Sequence, residues 1–187
     1  MLAEIALNVL DIAKNSEKAG ATLIEVFILK DTSRNSITFR IKDNGKGMNE
    51  EQLASVTDPV LTSRTTRKVG LGIPFLKQGA EITGGNFRIN SQVGIGTEVE
   101  ATFMTDSIDC MPLGDINGTI FTLVREADEY DYVYTYGVDD NSFVLDTREI
   151  KEIVGGVSLM NNEISAFIRQ FLDENMEEVD NASIRGE

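Results

Sequence analysis

Residues 1–20 read MLAEIALNVLDIAKNSEKAG, and the rest of the chain can be interpreted from the pattern of polar and apolar residues in this stretch. At ~100° of rotation per residue, a helix here would gather a polar line within an arc of roughly 80°. The polar line consists of Glu4, Asn8, Asp11, Asn15 and Lys18. Apolar residues cover the opposite side, so the pattern predicts an amphipathic helix packed on a core. Two interpretations of the mixed acid, amide and amine line stay open: a solvated surface or a surface for a polar ligand.

Three glycine-bearing turns follow this helix, each at a predicted element boundary. They are Asp43-Asn44-Gly45-Lys46-Gly47, Gly70-Leu71-Gly72 and Gly94-Ile95-Gly96-Thr97. Glycine lets the backbone approach a ligand closely, and N–H groups at such turns and at helix N-termini bind anions. Each turn alone also has an ordinary explanation, since Asp-Asn-Gly is a strong hairpin signal and glycine commonly permits helix entry. Together with the polar line, the turns favour a phosphate-binding site.

The order of the predicted elements indicates a two-layer fold. The segments are strands LIEVFILK (23–30) and SITFRIKD (36–43), a short helix MNEEQLASV (48–56), a mobile loop DPVLTSRTTRK (58–68), a helix GLGIPFLKQGAEI (70–82), and strands NFRINS (86–91) and TEVEATF (97–103). Strands are assigned from period-2 alternation and helices from the 3.6-residue period. The expected fold class is α/β (α+β): a mixed, mainly antiparallel sheet with helices on one face.

Composition shifts at Asp106, and we predict a domain over residues 1–105 with a smaller α+β extension over 106–187. The extension is predicted to hold a helix on residues 114–126, strands at 130–138 and 142–147, and helices at 147–156 and 161–179. Its acidic end, DENMEEVDNASIRGE (173–187), is interpreted as a fraying, solvated tail. No catalytic motif marks this half.

The composition restricts the function. Thirty-one acidic residues against 17 basic ones give a net charge of −14, so duplex nucleic acid and anionic membranes are not expected partners. The absence of histidine excludes Ser-His-Asp and Cys-His catalysis and self-phosphorylation on histidine. The single cysteine, Cys110, cannot form an intramolecular disulfide, and with no signal or membrane segment visible we expect a cytoplasmic protein. A basic cluster, Arg64, Arg67 and Lys68, is a candidate anion contact.

Four motifs in the first hundred residues resemble the GHKL ATPase superfamily of gyrase B subunits, heat-shock chaperones, histidine-kinase catalytic domains and MutL proteins, with the related anti-sigma kinases. They are DIAKNSEKAGAT (11–22) for the N box, Asp43 to Gly47 for the first glycine box, TSRTTRKVGLG (62–72) for the ATP lid and second glycine box, and Gly94 to Thr97 for the last. This resemblance implies a Bergerat-type ATP-binding domain over residues 1–105, with ATP and Mg²⁺ as cofactors.

Carried over residue by residue, the resemblance implies that Asn15 is the Mg²⁺ ligand and that Asp43 accepts the adenine amino group. Asp11 is the catalytic candidate. It stands four residues before Asn15, where many relatives have a glutamate that orients water, and its shorter side chain predicts slow hydrolysis. The remaining candidates for nucleotide contact are Lys18, Gly45, Gly47, Met48, Thr62, Ser63, Arg64, Arg67, Lys68, Gly70, Leu71, Gly72 and Thr97.

The leading functional hypothesis is transfer of the γ-phosphoryl group of ATP to Ser, Thr or His of a partner protein. The alternatives are an ATP-dependent binding switch and a slow ATPase without kinase activity. Because the sequence begins at the predicted helix, without dimerisation helices or a phosphoacceptor histidine, a self-contained sensor kinase is not expected. The partner's identity and homodimer formation stay open.

Overall fold

The computed structural model describes residues 4–57 and 72–184. Its strands are β1 (Leu23–Asp31), β2 (Ser36–Asp43), β3 (Asn86–Gln92), β4 (Gly96–Met104), β5 (Asp131–Val138) and β6 (Asn141–Asp146). Its helices are α1 (Ile5–Lys18), α2 (Glu50–Thr57), α3 (Gly72–Ile82), α4 (Ile116–Arg125), α5 (Thr147–Val154) and α6 (Asn162–Ile184). The strands form one sheet in the order β3-β4-β2-β1-β5-β6. Only the β1–β5 pair is parallel among these strands, so the predicted mixed, mainly antiparallel sheet is confirmed.

Alternating side chains place the core on one face of the sheet. Ile24, Val26 and Ile28 of β1 are buried, and the residues between them are half-buried or exposed. β2 repeats the pattern with Phe39 and Ile41. Because period-2 alternation turns every second side chain to the same face, the buried set lies under the helices. The opposite face is charged and more open.

Helix α1 packs its apolar side on this core, as the pattern predicted. Ile5, Val9 and Ile12 are buried, whereas Asn15 and Lys18 are exposed. Asn8 departs from the predicted polar line because it is only 2% exposed, and its Nδ2 donates to the backbone oxygen of Glu4 at 2.9 Å. The open part of the polar line therefore begins after Asn8.

The C-terminal part extends the same sheet. β5 runs parallel to β1, with Ile24 opposite Tyr132 and Ile28 opposite Tyr136, and β6 adds an antiparallel edge. Tyr132, Tyr134 and Tyr136 are each at most 1% exposed, so they belong to the continuous core. The boundary at residues 105 and 106 stays a prediction.

The predicted solvated tail is wrong over the residues described here. Helix α6 continues to Ile184, and Val179 is 6% exposed. Asp180 accepts hydrogen bonds from the Tyr136 hydroxyl at 2.7 Å and from Lys30 Nζ at 3.3 Å. The acidic segment therefore packs on β1 and β5, because its partners are a buried phenol and a lysine. Among helices in the described ranges, none has the length and apolar character needed to cross a membrane.

Candidate functional site

Asp43, the last residue of β2, is held from three directions. Its Oδ2 accepts the Ser16 hydroxyl at 2.6 Å, and its Oδ1 accepts the N–H groups of Gly45 at 2.8 Å and Thr97 at 3.3 Å. A carboxylate has about four lone-pair sites, so this set leaves Oδ2 able to accept another donor. Asp43 is 9% exposed, so a small part of the residue stays accessible, while the three hydrogen bonds fix the direction of its carboxylate. The arrangement suits recognition of an amino group.

The first glycine turn packs too tightly for side chains. A Cβ on Gly45 would lie 3.0 Å from both Ala19 Cβ and Asp43 Oδ1. Gly47 has φ +65°, and a Cβ there would overlap the carbonyl group of Gln92. Because left-handed backbone and backbone-to-backbone contact both favour glycine, the turn presents bare main chain beside Asp43.

Ser91 joins the first and last glycine turns and was missed by the sequence reasoning. Its Oγ accepts the Met48 N–H at 2.8 Å and lies 2.8 Å from Thr97 Oγ1. Thr97 is opposite Ser91 in the β3–β4 register and opposite Asp43 in the β2–β4 register. The register of the predicted hairpin is the signal that would have identified Ser91. Ser16 was also missed, because no local pattern marks its contact with Asp43.

Asp11 lies against the start of α3. A Cβ on Gly72 would overlap the Asp11 carboxylate and lie 3.3 Å from its Cγ, so the two residues are in close contact. Asp11 is half-buried, and Asn15 is exposed one turn later on the same side of α1. The helix thus reaches the α3 N-terminus through Asp11 and the β2 end through Ser16. Asn15 lies between these two contacts along α1.

The other predicted site residues divide into two groups. Lys18 is exposed at the last position of α1, and Met48 and Thr97 are half-buried around Ser91. The lid candidates lie outside the described residues: Thr62, Ser63, Arg64, Arg67, Lys68, Gly70 and Leu71. The predicted mobile loop over 58–68 lies there as well. The roles of all these residues stay predictions.

The other side of α1 carries an ionic network. Lys14 Nζ contacts Glu126 at 2.9 Å and Glu17 at 3.0 Å, and the Tyr132 hydroxyl donates to Glu17 at 2.8 Å. Burial, reinforced by Glu17, raises the pKa of Tyr132 far above its usual value. Burial lowers the Lys14 pKa, but the hydrogen bonds that Lys14 donates to Glu126 and Glu17, together with the charges of these carboxylates, outweigh this effect and raise the pKa overall. This network ties α1 to α4 and β5.

Within residues 4–57 and 72–184, no three or more His, Cys, Asp or Glu side chains lie close enough together to hold a metal ion. Asn15 would supply one uncharged oxygen. Mg²⁺ keeps several waters and often binds through substrate phosphates, so a single protein oxygen fits an ion that arrives with a nucleotide.

Residues 1–107 match the family described as Histidine kinase-, DNA gyrase B-, and HSP90-like ATPase. The chain is 29% identical over 93 residues to the sensor histidine kinase YvrG of Bacillus subtilis (strain 168), covering 48% of this chain and 16% of that protein. It is 26% identical over 102 residues to the autoinducer 2 sensor kinase/phosphatase LuxQ of Vibrio cholerae, covering 52% of this chain and 12% of LuxQ.

Solved structures share the fold. The ADP-complexed MutL ATPase domain of Aquifex aeolicus superposes with a TM-score of 0.50 at 20% identity, covering 84% of this chain and 69% of that one. The N-terminal domain of a DNA repair protein superposes with a TM-score of 0.55 at 13% identity, covering 83% and 58%. At these identities the likeness concerns the fold alone.

The six-stranded sheet and its helices define a GHKL-type α/β sandwich, an ATP-binding class of domain. The chain belongs to the Histidine kinase-, DNA gyrase B-, and HSP90-like ATPase family. It spans about a sixth or less of the length of the two kinases it matches.

Proposed function

We propose that the chain binds Mg²⁺-ATP between α1 and the glycine turns and transfers the γ-phosphoryl group to Ser, Thr or His of a partner protein. The observation that carries this proposal is the double contact of α1. Ser16 donates to Asp43 at the end of β2, while Asp11 contacts Gly72 at the start of α3. One helix therefore spans the distance between an amino-group acceptor and a helix N-terminus suited to phosphate.

Different residues along α1 and the glycine turns would contact different parts of the nucleotide. Asp43 would accept the adenine amino group, and Gly45 and Gly47 would form a wall against which the purine lies. Asn15 would hold the metal ion, which neutralises phosphate charge when bound. Asp11, half-buried beside Gly72, would accept a hydrogen bond from the attacking hydroxyl or water. Phosphoryl transfer depends mainly on positioning and charge stabilisation, which this set can provide.

The ionic network on α1 favours a second candidate, a nucleotide-dependent binding switch. Lys14 and Glu17 connect α1 to Glu126 after α4 and to Tyr132 on β5. A change in α1 on nucleotide binding would therefore reach the C-terminal elements directly. A switch requires that a partner distinguish the nucleotide-bound from the free state, with no covalent transfer.

Transfer of radiolabelled γ-phosphate from ATP to a co-purified protein separates the two candidates. The kinase proposal predicts labelling that is lost in Asn15→Ala and kept in Asn86→Ala, a matched change at the exposed start of β3. Tight ATP binding without transfer to any co-purified protein would contradict the kinase proposal and favour the switch.

A further inference from the structure

Exposed apolar side chains concentrate at the β6 end of the molecule. Ten large apolar residues of the described ranges are exposed, and five of them fall between residues 144 and 167. These five are Val144, Ile153, Val157, Met160 and Phe167. Single exposed apolar residues are ordinary, but a local concentration indicates an interaction surface.

A groove lies between α5 and α6 at this end. Ile150 and Ile153 of α5 form one wall, Phe167 and Phe171 of α6 form the other, and Leu145 of β6 contributes to the floor. We call this the α5–α6 groove. Its volume is about 130 Å³. A cavity of roughly 150 Å³ accommodates benzene, so this slightly smaller groove suits one aliphatic side chain of about leucine size.

The residues that line the groove differ in how exposed they are to solvent. Ile153 is 84% exposed and Phe167 is 57% exposed, whereas Ile150 and Leu145 are buried beneath them. Phe171 is fixed by ring contacts, with centroids 6.0 Å from Phe143 and 6.2 Å from Phe167. The groove thus has a rigid base and two protruding apolar residues available for contact.

Carboxylates surround the apolar walls. Glu149 lines the groove one turn before Ile153, Glu163 lies one turn before Phe167, and Glu174 follows Phe171 by three residues. Within the part of the chain that the structure describes, these three glutamates form no salt bridge. The surface therefore carries uncompensated negative charge.

Nearby cations are already engaged. Arg148 makes a two-pronged contact with Asp146, with Nε 2.9 Å from Oδ1. Lys151 Nζ lies 2.8 Å from Asp131, and Arg169 Nε lies 3.0 Å from Asp173. Since these pairs neutralise themselves, the charge around the α5–α6 groove is set by Glu149, Glu163 and Glu174. Glu174 also accepts a hydrogen bond at 2.7 Å from the uncharged Gln170 amide, which leaves its charge in place.

We propose that the α5–α6 groove binds an amphipathic helix of a partner protein, with an apolar anchor in the groove and Lys or Arg side chains against Glu149, Glu163 and Glu174. Two helical walls around an apolar cavity fit the helix-in-groove mode of recognition. The acidic rim selects a basic partner through charge complementarity. This inference is independent of phosphoryl transfer.

The same charges disfavour two other occupants. In a two-fold symmetric contact, the same acidic patch lies on both sides of the interface, so the glutamates of one copy would be brought close to the glutamates of the other. An anionic membrane would be repelled by the rim and by the net charge of −14.

Fluorescence anisotropy with a labelled leucine–lysine peptide of about 18 residues tests the proposal, with leucines at helical i, i+3, i+4 and i+7 spacing. The full chain is expected to bind the peptide, and the double variant Ile153→Ser with Phe167→Ser is expected to bind at least about tenfold more weakly. Ile108→Ser, at a side chain that is 99% exposed in another segment, is the matched control and should bind as the parent does. Circular dichroism checks that each variant stays folded.

Charge is tested separately with Glu149→Gln combined with Glu163→Gln, which should reduce both the affinity and its dependence on salt. Equal peptide binding by parent and double serine variant would overturn the proposal. So would groove-dependent self-association in sedimentation, or groove-dependent binding to vesicles of phosphatidylserine and phosphatidylcholine without peptide binding.

Discussion

Polar side chains are arranged differently in two regions of the molecule. Around α1 and the glycine turns, Asp43 is oriented by three donors, while Asn15 is exposed and Asp11 is half-buried. In the C-terminal region, residues 106–184, Asp180 accepts hydrogen bonds from Tyr136 and Lys30 instead. Polar groups that engage each other hold elements together, whereas oriented polar groups beside bare backbone are available to a ligand.

Some buried polar groups of the C-terminal region do not engage each other. Three buried atoms have no partner within the described residues: Asn117 Oδ1, Arg125 Nε and Tyr134 Oη. All three belong to the C-terminal region, and nothing else in the structure explains them. The comparison therefore concerns where polar groups are exposed. It can be tested by substituting residues in each region and measuring stability and ATP affinity.

Gly47→Ala should have the largest effect. The new Cβ would overlap the Gln92 carbonyl group in a left-handed backbone, so we expect a loss of about 3 kcal/mol in the free energy of unfolding. Gly94→Ala is the matched control, because φ is +76° there and no atom lies within 4 Å of its Cβ. It should cost about 1 kcal/mol. Urea denaturation giving equal losses would contradict the packing assigned to Gly47.

Asp43→Asn should weaken ATP binding by about 30-fold, since a charged hydrogen bond contributes about 2 kcal/mol and an amide presents a donor to the adenine amino group. Competition against a fluorescent ATP analogue measures the affinity. Asp140→Asn, an exposed carboxylate in the β5–β6 turn, should bind ATP as the parent does. Unchanged affinity in folded Asp43→Asn would remove Asp43 from the adenine-binding role.

Asp180→Ala tests the opposite region. It removes the acceptor of the buried Tyr136 hydroxyl, so we expect a loss of about 1.5 kcal/mol in the free energy of unfolding. ATP affinity should be unchanged, because Asp180 acts on β1 and β5 away from the glycine turns. A marked loss of ATP affinity at full folding would show that the two regions are not separable in this way.

Tyr132→Phe should have the smallest effect at neutral pH, about 1 kcal/mol from the lost hydrogen bond to Glu17. Its effect on pH dependence is more specific. An unfolded tyrosine loses its proton near pH 10, while burial keeps Tyr132 protonated to higher pH and raises the pKa of Tyr130 to about 12.

The folded state therefore binds more protons than the unfolded state above about pH 10, and stability falls as the pH rises from there. That fall should be shallower in Tyr132→Phe, as measured by urea denaturation between about pH 8 and pH 11. An identical slope in parent and variant would contradict the raised pKa of Tyr132.

Local patterns predicted the helices and strands well in the described part of the first 104 residues, 4–57 and 72–104. Alternation in SITFRIKD and TEVEATF depends only on neighbouring residues, and β2 and β4 form there. The contacts that orient the site are not local. Ser16 and Asp43 are 27 residues apart, and Met48 and Ser91 are 43 apart. No periodicity identifies such pairs, although strand register would have placed Ser91 opposite Thr97.

The C-terminal region shows why composition gave a wrong prediction for the acidic segment. Residues 173–187 are acidic, a composition typical of a solvated tail. Val179 and Asp180 nevertheless pack against the sheet, because Tyr136 and Lys30 lie within reach only after β5 has paired with β1. A parallel pair between strands so distant in sequence cannot be inferred from the pattern of either strand alone.

Calorimetric titration of the folded chain with ATP, in Mg²⁺ and again in chelator, tests whether α1 and the glycine turns enclose a magnesium nucleotide. We expect a saturable heat with ATP that weakens in chelator and is absent with GTP, because the proposed role of Asp43 is to accept an amino group that guanine lacks at that position. No heat with ATP, or equal heats with ATP and GTP, would contradict it.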